Sequence, residues 1–144
     1  MNNLYLVARI AGTDVAIPTR EVESVVSVGE IVPVPAAAKR IAGLFALRSR
    51  VVTMIDGAWT VSGERTDIQP GAIAIVTAIG GHIYGFVAER VEDVLTIEPD
   101  RIMDAGGIAL GWSDVATGVA TMDERALLIV SLEHFINAPG RLAA

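Results

Sequence analysis

The chain has 144 residues and a formal charge of −6, from 11 Lys and Arg against 17 Asp and Glu; it is 52% hydrophobic, only 5% aromatic, and lacks cysteine. That length suffices to bury a real core, while the acidic balance argues against nucleic acid or an anionic membrane as main partner, since both call for a basic face. Without Cys there are no disulfides, thiol nucleophiles or Cys-ligated metals.

Met1-Asn2-Asn3 carries no basic n-region and no apolar h-region follows it, so the expected setting is cytoplasmic. Leu4–Ile10 reads as a strand, Ala11-Gly12-Thr13-Asp14 as a turn, and Val15–Ile17 as a second strand ended by Pro18. Val22, Val26 and Val28 then share one parity, with Glu21 and Glu23 on the other, as a strand buried on one side requires. A short helical turn is expected near Pro35–Arg40, and strands over Ile41–Leu47 and Arg50–Ile55. The uncharged stretch Gln69 to Ala88 is long enough for a membrane helix, but Pro70, Gly71, Gly80, Gly81 and Gly85 break it. It reads instead as two strands, Ala72–Ile79 and His82–Val87, around a glycine turn. Val91–Ile97, Gly118–Met122 and Ala126–Leu132 complete the strands, with a second helical turn after Leu132. The 33 Val and Ile residues suit such half-buried strands. The pattern is all-β with little helix.

An internal repeat organises these strands. A shift of 69 residues lays Leu4–Ile10 on Ile73–Ile79, Gly12 on Gly81, Ile17 on Phe86, and Val22-Glu23-Ser24-Val25 on Val91-Glu92-Asp93-Val94. A shift of 75 carries Gly43 onto Gly118, Arg50 onto Arg125 and Val52–Ile55 onto Leu127–Val130. The repeat predicts two five-stranded barrels of one design on a shared apolar seam. The approximate halves are 1–65 and 66–144, with the boundary in the polar stretch Ser62–Gly71 and strands free to cross between halves.

Little in the chain carries reaction chemistry. His82 and His134 have no second ligand at metal spacing. Ser131 and His134 stand at i, i+3 without a nucleophile elbow or an orienting acid. The only lysine is Lys39, and no phosphate loop surrounds it. No catalytic residue, cofactor or metal is expected. A small-ligand-binding barrel is the alternative from another class, and strands without ring-stacking aromatics speak against it. One charge cluster stands out: Lys39, Arg40, Arg48 and Arg50 bring four of the 11 basic residues into a short stretch of an acidic chain. Arginine forks there could dock against carboxylates. Trp112, in a glycine-rich loop, is a second candidate anchor.

The string Ile41-Ala-Gly-Leu-Phe-Ala-Leu-Arg-Ser-Arg-Val-Val-Thr-Met-Ile-Asp56, preceded by Pro33-Val-Pro35, resembles the signature of the CheW-like chemotaxis coupling proteins. Gly12–Val28 resembles that family's first hairpin and the Glu-Val strand after it, Ile83–Leu95 its second, and Gly118–Ala120 with Leu127–Leu132 its closing strands. The resemblance implies two SH3-like, five-stranded barrel subdomains around a common core. It also implies a non-catalytic adaptor linking a chemoreceptor's cytoplasmic tip to the regulatory domain of a CheA-type histidine kinase. In that family, homologous domains alternate in rings through contacts between unlike subdomains. Residue by residue, it assigns receptor or kinase contacts to Thr19, Val22, Ser24 and Val25, the signature arginine to Arg48, and the second half's share of the groove to Gly85, Val91 and Val94. Four positions depart from the family pattern. Ala46 stands for its Asn, Ser49 for its Gly, Ser24 for a Glu, and Glu89 for an Asp. Such changes bear on partner choice more than on fold, leaving a non-flagellar or other histidine-kinase pathway as the alternative setting.

Overall fold

Residues 3–106 and 111–137 are described by a computed structural model. Met1 and Asn2, part of the segment read above for an export signal, lie outside the described residues. Two-residue turns with left-handed backbone build the hairpins. Ala11-Gly12 (φ 49° and 78°) joins β1 (Leu4–Ile10) to β2 (Thr13–Pro18), and Gly80-Gly81 (φ 58° and 83°) joins β6 (Ile73–Ile79) to β7 (His82–Ala88). Three further pieces of the first half are β3 (Ser24–Ser27), β4 (Ile41–Leu47) and β5 (Arg50–Ile55). Their counterparts in the second half are β8 (Arg90–Thr96), β10 (Ala116–Met122) and β11 (Arg125–Val130), with the short β9 (Ile102–Met103) added before β10. β1, β4 and β5 occupy the spans that the alternation predicts.

The strands form two sheets, ordered β8-β1-β2-β11-β10-β9 and β3-β6-β7-β5-β4. Exchange each strand for its repeat mate and, β9 aside, one order becomes the other. Each sheet therefore combines the first hairpin of one repeat with the later three strands of its sibling. The register obeys the same symmetry. β11 runs parallel to β2 with Leu128 opposite Val15, and β5 runs parallel to β7 with Thr53 opposite Tyr84. The matched glycines of the repeat mark matched irregularities, between Ile41 and Gly43 in β4 and between Ala116 and Gly118 in β10. A Cβ on Gly43 would stand 2.7 Å from the Val32 carbonyl oxygen, and one on Gly118 2.6 Å from Ile102 Cγ2. Both glycines let a crossing segment lie against its strand.

Three apolar clusters follow from this exchange. Val7, Ala16, Ile97, Ala120, Leu127 and Ile129 fill the first sheet's barrel, and Val28, Phe45, Val52, Met54 and Ala74 fill the second. Between them, residues of both sheets, among them Ile10, Ile17, Ile55, Ile75, Phe86 and Val130, make one larger seam. Phe135 joins it from the helix α2 (Leu132–Asn137), meeting Phe86 and, edge-on, Trp112 at ring-centroid distances of 5.5 and 6.0 Å.

Among the described residues, α-helix falls at two places related by the repeat. The expected turn after Leu132 is α2, but the other helix, α1, spans Gly57–Ser62 instead of the region near Pro35–Arg40. That region forms non-helical turns, with Ala36 left-handed at φ 62°. Val32, three residues before Pro35, bridges to Leu44, so tertiary pairing fixes how the chain enters this region. Apart from Ala58, α1 is made of weak helix formers, and its ends sustain it. Asp56 Oδ1 accepts the Trp59 N–H at 3.1 Å, and left-handed Gly63 (φ 80°) closes the last turn. No helix among the described residues is long and apolar enough to cross a membrane.

Candidate partner-binding surfaces

The first surface lies on the second sheet, where Glu23, Ser24, Val25 and Val26 meet the β4–β5 turn at Leu47, Arg48 and Arg50 around a recess of about 340 Å³. Three candidates thus converge: Ser24, Val25 and Arg48. Parity on β3 turns Val26 inward and leaves Val25 42% exposed. Arg48 sits at the turn tip with φ 60°, a conformation that costs an ordinary side chain about 1 kcal/mol. The left-handed position is therefore Arg48 and not Ser49, so losing the family's glycine at Ser49 removes no needed backbone freedom. Arg50 is paired with Glu23, whereas Arg48 forms no ion pair with any described residue.

The second surface is the repeat mate of the first. Val94, on the edge strand β8, is 49% exposed, as Val25 is on β3. Arg125 grips Glu92 through two guanidinium bonds of 2.9 and 3.1 Å, at the positions equivalent to Arg50 and Glu23. Here the pair belongs to a network: Arg90 reaches Glu92 at 3.0 Å, and Arg9, Arg90 and Arg125 all reach Asp14. The hydrogen bonds from Arg125 and then Arg90 hold the Glu92 carboxyl down at about 2, well below its ordinary value of 4.5. The turn equivalent to Arg48-Ser49 is Asp123-Glu124, with φ 51° and 63°. One turn is basic and its mate is acidic.

Val22 and Val91 lie at the seam between the surfaces, and Thr19 stands three residues before Val22. Thr19 opens a half-buried 3-10 turn, Thr19–Glu21, whose carbonyl accepts the Val22 N–H at 3.0 Å. Val22 and Val91, which are repeat mates, both pack partly buried against the central cluster. Gly85 is buried opposite Met54 and offers no surface of its own. Glu89 uses its extra length to accept the Gly12 N–H of the first hairpin turn.

Trp112 is not an exposed anchor: it is 8% exposed and packs edge-on in the core against Phe135. His134 donates its backbone N–H to the Ser131 carbonyl at 3.1 Å, and Ser131 lines a recess with Arg20, Glu21 and Glu133. Sequence reasoning missed a third apolar patch, a recess of about 490 Å³ lined by Val32, Leu44, Phe45, Ala46 and Val51. Val51 is 60% exposed and Val32 56%. Strand alternation from buried Val52 points to Val51, whereas Val32 is placed by its bridge to Leu44.

Similarity to known proteins agrees with this architecture. The chain is 22% identical over 135 residues to the chemotaxis protein CheW of Klebsiella aerogenes, covering 93% of this chain and 81% of that protein. It superimposes on the crystal structure of the scaffolding protein TtCheW from Thermoanaerobacter tengcongensis with a TM-score of 0.81, at 20% identity, covering 99% of this chain and 93% of the other. The CheW-like domain model matches residues 4–140, and the chain belongs to the CheW-like domain family.

Proposed function

We propose that this protein is a non-catalytic cytoplasmic adaptor that couples a chemoreceptor's cytoplasmic tip to a CheA-type histidine kinase, with its two halves, 1–65 and 66–144, acting as one domain. The observation that carries the reading is the pair of related surfaces on one shared core. Each joins an exposed valine edge strand to a hairpin turn, and the two turns, Arg48-Ser49 and Asp123-Glu124, differ in charge. Such a body offers two unlike faces at a fixed separation, which is what a scaffold between partners requires. On this reading the contacts are Val25, Ser24 and Arg48 on one face, Val94 on the other, Val22 and Val91 along the seam, and Thr19 three residues before Val22. Gly85 contributes by packing beneath them.

The test is co-purification with the regulatory domain of a CheA-type kinase and a receptor cytoplasmic fragment. Arg48→Glu should weaken kinase or receptor capture while thermal stability stays nearly unchanged, because Arg48 is exposed and makes no ion pair among the described residues. Full capture by the folded variant would remove Arg48 from the interface.

A further inference from the structure

The charges that the repeat matches are two copies of one device. Glu23 and Arg50 in the first repeat correspond to Glu92 and Arg125 in the second, and both couples form ion pairs. Each pair joins the start of an edge-strand segment to a strand three places away in its sheet: β3 to β5 across β6 and β7, and β8 to β11 across β1 and β2. Neighbouring strands lie about 4.8 Å apart, so in a flat sheet those strands would be about 14 Å apart. The pairs exist because the sheets curl, and each ties one edge strand to the hairpin, β4–β5 or β10–β11, towards the other end of its sheet.

The two copies differ in how firmly they hold. Arg125 takes Glu92 through both guanidinium nitrogens, with Arg90, Asp14 and Arg9 completing a network across four strands. Arg50 takes Glu23 through one nitrogen only, with side chains 45% and 36% exposed. β3 has four residues and β8 seven.

We propose that Glu23–Arg50 and Glu92–Arg125 are clasps that close the two barrels and position the edge strands carrying Val25 and Val94. The single, exposed clasp makes β3 the edge that adjusts to a partner, and the networked clasp makes β8 the fixed edge. Glu23, Arg50, Glu92 and Arg125 are positioning residues, and only their bearing on partner binding rests on the adaptor reading.

Hydrogen exchange on the full-length protein tests the clasps without any partner. Glu23→Gln and Arg50→Gln should each speed exchange across Ser24–Ser27 by about two- to five-fold, the range open to an exposed pair, and leave Arg90–Thr96 unchanged. The swap of Glu23→Arg with Arg50→Glu should restore protection, a rescue that lost packing would not give. Raising salt from about 0.05 to 0.5 M should loosen β3 in the parent protein more than β8. Unchanged exchange at Ser24–Ser27 in both single variants, an equal rise at both edges, or a swap that fails to rescue would overturn the proposal. With a kinase regulatory domain present, affinity should fall in the single variants and return in the swap. Parent protein that binds no such domain while the exchange pattern holds would refute the adaptor reading and leave the clasps standing.

Discussion

Gly85→Ala separates a core glycine from a contact glycine. Gly85 lies opposite Met54 in the parallel β5–β7 register. A Cβ placed on it would stand 2.7 Å from Met54 Sδ and 3.1 Å from Val52 Cγ1. Unstrained contacts of this kind need about 3.5–4 Å, so the thioether must retreat by about 1 Å. Met54 and Val52 are both 0% exposed, leaving no solvent to retreat into. Overpacking of a tight core costs about 1–3 kcal/mol, and a flexible thioether places this case in the lower half of that range, at about 1–2 kcal/mol. For a chain of this size that is a Tm drop of about 3–8 °C. Urea unfolding should show the loss as a lower midpoint with an unchanged slope. Met54→Ala alone should cost about 2–5 kcal/mol by opening a cavity. In that background the Gly85 methyl enters vacated space, so the two changes should couple by at least about 1 kcal/mol. An unchanged midpoint for Gly85→Ala, or strict additivity with Met54→Ala, would refute the packing argument. Partner binding lost at a temperature where Gly85→Ala is fully folded would return Gly85 to the interface.

Glu92 should give a pH-dependent stability. Its folded pKa of about 2 lies below the ordinary 4.5, so its contribution is complete above pH 4.5 and is lost as pH falls from there towards 2. The side chain is 28% exposed and screened, so the parent protein should exceed Glu92→Gln by about 1 kcal/mol at neutral pH, with the gap closing across that window in denaturant titrations. Asp56→Ala should cost about 2–4 kcal/mol in urea unfolding, because a carboxylate only 2% exposed holds the Trp59 N–H and both the N–H and hydroxyl of Thr66. Residues 1–63 expressed alone should be insoluble: β3 loses its ladder partner β6, and β2 loses β11. A soluble, cooperatively unfolding fragment would contradict the shared core.

Much of the fold was legible because strand alternation and turn glycines are local signals. Glu21 and Glu23 show where that reading stops. Parity sets both opposite the inward valines of one strand, yet Glu21 closes the 3-10 turn Thr19–Glu21 and accepts the Leu132 N–H at 2.7 Å, at the start of α2. Glu23 reaches Arg50 across the closed barrel. Neither partner is near in sequence, and no periodicity names it. α1 escaped for the opposite reason: its caps, Asp56 and Gly63, were visible, but Gly57-Ala-Trp-Thr-Val-Ser62 has little intrinsic helix preference. Trp112 was misjudged because a loop position predicts exposure, whereas here the loop folds its ring onto Phe135.

Of the candidate site, the family resemblance marked Val25, Val94 and Arg48, and the structure exposes both valines and sets Arg48 at a left-handed turn tip. The resemblance also placed Gly85 among the contacts, where only the parallel register opposite Met54 reveals a buried packing position. Composition and repeat by themselves determined an all-β chain of two like units, because β-branched alternation, turn glycines and matched charges need no distant contact to be recognised. Tertiary structure alone decided that each sheet takes its first hairpin from one unit and its remaining strands from the other. It likewise decided that Glu23 meets Arg50 as Glu92 meets Arg125. Strand pairing is set by which apolar faces can be buried together, and that choice is made across the whole chain at once.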